Sequence, residues 1–122
     1  MANRSHILVV EDDTLVSEIV DAALSDTYDT TVVETSVDAI GRLQDGGIDA
    51  MLLDCSLPDG MDARLLPLAD RFGVPVILMS GDPARGKATS GQPRPFVQKP
   101  FTLASLLDMV EQVIGNKGRA AA

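Results

Sequence analysis

The sequence predicts an α/β domain in which one sheet of five parallel strands is covered by helices on both faces. Three observations predict it. Short apolar runs at residues 7–10, 30–34, 50–54, 75–79 and 96–98 alternate with segments whose apolar residues recur at helical spacing. The runs are apolar almost throughout, as strands buried on both faces are, rather than alternating with polar residues. The chain is 122 residues long and 45% hydrophobic, which suits one domain with a real core.

Each element has its own signal. Ile7, Leu8, Val9 and Val10 form the first strand. Leu15, Val16, Ile19, Ala22 and Ala23 then recur as the stripe of an amphipathic helix near 14–26. Residues 30–34 are rich in β-branched side chains and read as the second strand. Ser36 is the expected cap of a helix carrying Val37, Ala39, Ile40 and Leu43, which stops at Gly46 and Gly47. Residues 50–54 make the third strand. A helix near 62–72 follows, and Pro67 should kink or delay it. Residues 75–79 and 96–98 are the last two strands. Between them, residues 81–95 should hold a helix, but Gly81, Pro83, Gly86, Gly91, Pro93 and Pro95 predict a mobile or irregular loop with a shortened fourth helix. Thr102 is the expected cap of the final helix, which buries Leu103, Leu106, Leu107, Val110, Val113 and Ile114. Gly115 is its expected stop, with residues 115–122 a flexible tail and residues 7–114 the core of a single domain spanning 1–122.

Composition narrows the function. The formal net charge of −8, with ten Lys and Arg scattered among eighteen acids, argues against binding nucleic acid or an anionic membrane. Cys55 is the only cysteine, so no internal disulfide can form. The N-terminal segment offers only four apolar residues, too few for a secretory signal, and no run approaches the roughly 20 needed to span a bilayer. The expected location is the cytoplasm.

In open parallel sheets, ligands bind beyond the carboxyl ends of the strands. Glu11, Asp12, Asp54, Ser80 and Lys99 all fall at such ends. Clustered carboxylates repel one another unless a cation compensates, and Mg2+ accepts such hard oxygen ligands. Asp54 closes an apolar strand just before a Leu57-Pro58-Asp59-Gly60 turn, a poor place for a packing residue. It can attack phosphorus as a nucleophile, with Lys99 pairing one phosphoryl oxygen and the Ser80 hydroxyl donating to another. Taken singly, Asp12 and Asp13 could instead cap the first helix, and Asp13 is expected to do so in any case. Cys55 reads as a small half-buried residue, and His6 has no companion ligand nearby.

With these residues in place, the chain resembles a response-regulator receiver domain of two-component signalling. The resemblance rests on Ile7-Leu8-Val9-Val10-Glu11-Asp12-Asp13, on Asp49 through Asp54 with Leu57-Pro58-Asp59-Gly60, on Val76-Ile77-Leu78-Met79-Ser80-Gly81, and on Gln98-Lys99-Pro100-Phe101-Thr102. It runs from about residue 7 to 114. It implies a flavodoxin-like, doubly wound sheet of order 2-1-3-4-5. It implies that Asp54 is the phosphoacceptor, that Asp12, Asp54 and the Ser56 backbone carbonyl hold Mg2+, and that Glu11 does so through water. Lys99 and Ser80 match the family's lysine and switch hydroxyl, and Phe96 its aromatic switch. The Lys99–Pro100 bond is often cis in such proteins.

The implied partners are a sensor histidine kinase or a histidine phosphotransfer protein, with an output protein of unknown identity. The chain is expected to act as a stand-alone regulator, monomeric or dimerising on phosphorylation, and not as an enzyme turning over an external substrate. Ser56 is small where the family commonly has a longer polar side chain, and Asp62 stands where many members have Gly. A phosphorylation-independent interaction module on the same fold is the alternative, motivated by the Gly/Pro-rich segment 81–95. A small-molecule phosphatase is disfavoured, because such enzymes commonly need a second acid where this chain has Ser56.

Overall fold

The computed structural model describes residues 4–57, 62–82 and 94–121. The elements run β1 (His6–Val10), α1 (Thr14–Leu24), β2 (Asp29–Val33), α2 (Ser36–Asp45), β3 (Ala50–Asp54), α3 (Leu65–Arg71), β4 (Val76–Ser80), β5 (Phe96–Gln98) and α4 (Leu103–Ala121). The strands form one parallel sheet in the order β2-β1-β3-β4-β5. The expected turn at Pro58, Asp59 and Gly60, and the expected loop or helix across 83–93, lie outside the described residues.

Strand alternation divides the core in two. Leu8, Val10, Met51, Leu53, Val76 and Leu78 point to one face and pack with Ala39, Ile40, Leu43, Leu65 and Leu66 of α2 and α3. Ile7, Val9, Leu52, Ile77 and Met79 point to the other and pack with Val20 and Leu24 of α1 and Leu106, Val110 and Val113 of α4. The three inner strands are buried along their whole length apart from the first residue of β1. This is why their sequences carry no alternation.

Helix starts show where local chemistry decides. The Asp13 carboxylate accepts from the Leu15 and Val16 amides at 3.0 and 3.3 Å, capping α1 as expected. α2 is capped by Thr35, not by Ser36. Thr35 has the extended backbone a cap requires, and its hydroxyl accepts from the Asp38 amide at 3.1 Å. Ser36 is buried instead, and its hydroxyl accepts from the Asp62 amide at 3.0 Å, tying the start of α2 to the approach to α3.

α3 begins only at Leu65, later than expected. Pro67 is tolerated because it falls in the first turn, where a missing N–H costs nothing. Gly73 closes α3 at φ +69, while the Val74 amide reaches back to the Ala69 carbonyl at 2.9 Å. Gly115 does not stop the last helix, which continues to Ala121. The left-handed glycines among the described residues are Gly46, Gly47 and Gly73; Gly115 keeps a negative φ and simply carries the helix forward.

The expected core stripes of α1 and α4 need correction. Leu15 and Ile19 are 66% and 44% exposed, and Leu103 is 46% exposed. The buried residues of α1 are Ser17, Val20 and Leu24, a stripe rotated away from the most apolar one. The inner face of α1 packs beside β2 and α4, leaving Leu15 and Ile19 over its outer shoulder.

Candidate functional site

The predicted polar groups come together at the carboxyl edge of the sheet because parallel strands all end there. Asp54 is the last residue of β3 and is 3% exposed. Glu11 follows β1 directly, is 1% exposed, and donates its amide to the Val33 carbonyl at 3.0 Å. Asp12, half-buried, is next in sequence. Lys99 follows β5, and its amide donates to the Ser80 carbonyl at 2.9 Å. The Lys99–Pro100 peptide is cis.

Lys99 joins the acids. Its Nζ donates to Glu11 Oε1 at 2.7 Å and lies 3.5 Å from Asp54 Oδ2. Asp54 Oδ1 accepts from the Ser56 amide at 2.9 Å, which orients the carboxylate and leaves Oδ2 toward the lysine. Glu11 Oε2 accepts from the Asp13 amide at 3.2 Å. Burial, reinforced by the neighbouring Asp54, pushes the Glu11 carboxyl up to about 7. Burial works against the charge of Lys99, but its hydrogen bond to Glu11 and the charges of Asp54 and Glu11 outweigh this and hold it above the usual lysine value.

A cation fits this geometry. Glu11, Asp12 and Asp54 each offer a carboxylate oxygen, and these lie within 4.8 Å of one another. Three hard oxygen donors face a single ammonium, so positive charge is in deficit even with Lys99 in place. The Glu11 carboxyl is raised first by its burial and then by Asp54 beside it, so a cation would relieve only the second of these.

Two predicted residues stand apart from the cluster. Ser80 is buried at the end of β4, but its hydroxyl is engaged by the backbone of Asp82, donating to the carbonyl at 3.1 Å and accepting from the amide at 3.0 Å. Phe96 starts β5, half-buried against the core beneath α2 and α3. Cys55 is half-buried against the same core.

Beside the cluster runs an apolar groove of about 400 Å³ lined by Val16, Ile19, Lys99, Pro100, Phe101 and Leu103. Of its residues, Val16, Ile19 and Leu103 were read from sequence as core. The only signal that could have separated them is the excess of apolar residues on α1 beyond what one buried stripe can use.

The model of the response regulator receiver domain family matches residues 7–111. The chain belongs to this family. Its receiver domain is 32% identical to the swarming motility regulation protein RssB of Serratia marcescens, over 88% of this chain and 52% of that protein. It is 30% identical to the transcriptional regulatory protein CseB of Streptomyces coelicolor, over 98% of this chain and 53% of that protein. The chain thus spans about half the length of these curated relatives. Among solved structures, a response regulator receiver protein from Sinorhizobium medicae superposes with a TM-score of 0.84 at 26% identity, covering 94% of this chain and 98% of the other. Receiver domains are the phosphoryl-accepting components of two-component signalling and bind Mg2+ through acidic residues, and the cluster of Glu11, Asp12 and Asp54 suits both roles. No helix among the described residues is long and apolar enough to cross a membrane.

Proposed function

We propose that this receiver domain takes a phosphoryl group from a histidine kinase or histidine phosphotransfer protein onto Asp54 and signals by phosphorylation-dependent partner binding. The observation that carries the reading is a buried Asp54 whose Oδ2 lies 3.5 Å from the Lys99 ammonium, within a cluster of carboxylates that could hold a cation. The Ser56 amide fixes the other oxygen, so one oxygen is presented for attack. As the Oδ2–P bond forms, the P–N bond of a donor phosphohistidine protonated on its other ring nitrogen breaks, its electron pair returning to nitrogen and leaving an aspartyl phosphate and a neutral imidazole. Lys99 stays charged and balances the added phosphoryl oxygens. Asp12, Asp54 and the Ser56 carbonyl would hold Mg2+, with Glu11 acting through water. When bound, the ion supplies the positive charge that offsets repulsion between the carboxylates and an incoming phosphoryl group. Ser80 would leave the Asp82 backbone to donate to the phosphoryl group, and Phe96 would follow as the aromatic switch.

The groove supports a protein as donor. Lys99 lines both the groove and the site, so a protein presenting its imidazole to Asp54 has Ile19, Phe101 and Leu103 beside it to rest on. Asp12 and Asp13 lead into α1, and Glu18 stands between Val16 and Ile19 in sequence, which favours an apolar helix face flanked by basic residues.

The test is intact-protein mass after incubation with acetyl phosphate, with and without Mg2+, for the native chain and Asp54→Ala. A Mg2+-dependent gain of one phosphoryl group, absent in the variant, is expected. No gain, with a donor proven on another receiver, would replace this reading with a phosphorylation-independent interaction module.

A further inference from the structure

β5 has only three residues and pairs with β4 alone, through Leu78 with Phe96, Met79 with Val97, and Ser80 with Gln98. Each end of this short edge strand is held by an ion pair. At the carboxyl end, Lys99 holds Glu11 and Asp54. At the amino end, Arg94 reaches across to α3. Its Nη1 and Nη2 donate to Asp70 Oδ1 and Oδ2 at 2.9 and 2.7 Å, a bidentate pair. The Arg94 side chain is 8% exposed, and its Nε is buried with no acceptor among the described residues.

With its guanidinium covered and its acid, Asp70, half-exposed, such a pair is a poor device for stability alone. Burying a guanidinium is costly, and an unmet donor adds to the cost. What the pair does provide is position: it fixes the start of β5 against α3, two residues before Phe96.

We propose that the Arg94–Asp70 pair is a positioning clamp that holds β5 in its resting place and thereby opposes phosphorylation at the far end of the strand. The inference rests on the reading of Asp54 as phosphoacceptor. A phosphoryl group adds charge and oxygens beside Lys99 and draws it from Glu11. The Lys99 amide is bonded to the Ser80 carbonyl, so the end of β4 and β5 responds together. Three paired residues give the strand little other restraint, and the clamp resists at its opposite end. Coupling between two ends is reciprocal, so releasing the clamp eases modification of Asp54.

The experiment is calorimetric titration of the whole chain with beryllium fluoride in saturating Mg2+, for the native protein, Asp70→Asn and Arg94→Met. Both variants are expected to bind this phosphoryl mimic about 5-fold or more tightly than the native chain. Arg94→Met removes the buried charge and keeps an apolar stem, so it carries the test if Asp70→Asn fails to fold. Affinities equal to the native value, or weaker, in variants whose unfolding midpoints have shifted would make the pair purely structural and overturn the clamp. Failure of the native chain to bind the mimic would overturn the phosphoacceptor reading and the clamp together. Equal binding by all three would remove only the clamp.

Discussion

Glu11 is the residue on which the site's electrostatics turn. Its carboxyl titrates near 7 in the folded chain against 4.5 for an unburied glutamate, so the folded state holds the proton more tightly. A group of this sign contributes stability that is fully present below its unfolded value and is lost as pH rises through its folded one. In protein freed of divalent metal by chelation, urea midpoints are expected to fall between about pH 5 and pH 7.5, and Glu11→Gln should flatten that part of the profile. A native profile as flat as that of the variant would remove the argument. Asp54→Ala should abolish phosphoryl uptake in the mass measurement, and it should also bring the Glu11 titration, read by carboxyl NMR, back toward its ordinary range. The identities of these acids were legible in sequence, because polar residues closing apolar strands have few structural explanations. The engagement of Ser80 with Asp82 was not legible, since a hydroxyl has several partners within one turn and only coordinates choose among them.

At the scale of elements, caps and glycines give measurable effects. Asp13→Ala removes an acceptor from two amides at the start of α1 and is expected to cost about 1 kcal/mol in denaturant unfolding. Gly115→Ala is expected to stabilise by about 0.5–1 kcal/mol, because the residue sits inside a continuing helix with open space around its Cα. A loss of stability there would mean that α4 ends at Gly115 after all. The sequence suggested that ending because glycine commonly closes helices, yet nothing local distinguishes a glycine that turns the chain from one that merely continues it. Gly73 shows the contrast: its amide and that of Val74 both fold back onto α3, and its backbone is left-handed. The caps divide in the same way. Asp13 was legible because it stands immediately before its helix, whereas Thr35 and Ser36 are adjacent and chemically alike.

For the molecule as a whole, the parallel sheet does two jobs with one geometry. It buries β1, β3 and β4 on both faces, and it brings their carboxyl ends to a common edge. Leu52→Ala, in the fully buried β3, is expected to cost about 2–5 kcal/mol by leaving a cavity beneath α1 and α4. Near-native phosphoryl uptake should persist while the variant stays folded, because Asp54 is held by the Ser56 amide rather than by Leu52. Near-native stability in this variant would show that the two helices close over the void. The sheet order was legible through the family likeness and the unbroken apolar strands. The exposed shoulder of Leu15, Ile19 and Leu103 was not, because periodicity reports which residues share a helix face and cannot say whether a second layer covers that face.

The crowding of Glu11, Asp12 and Asp54 has a consequence for how such a chain can be altered. Neutral replacements at Glu11 or Asp54 relieve repulsion, so a screen that rewards folding alone would collect them early and drift toward robust but inert variants. An improvement campaign on this scaffold therefore needs phosphoryl uptake scored in every round. In natural lineages, acids persisting together where their mutual repulsion works against folding would be the mark of selection for chemistry rather than for architecture.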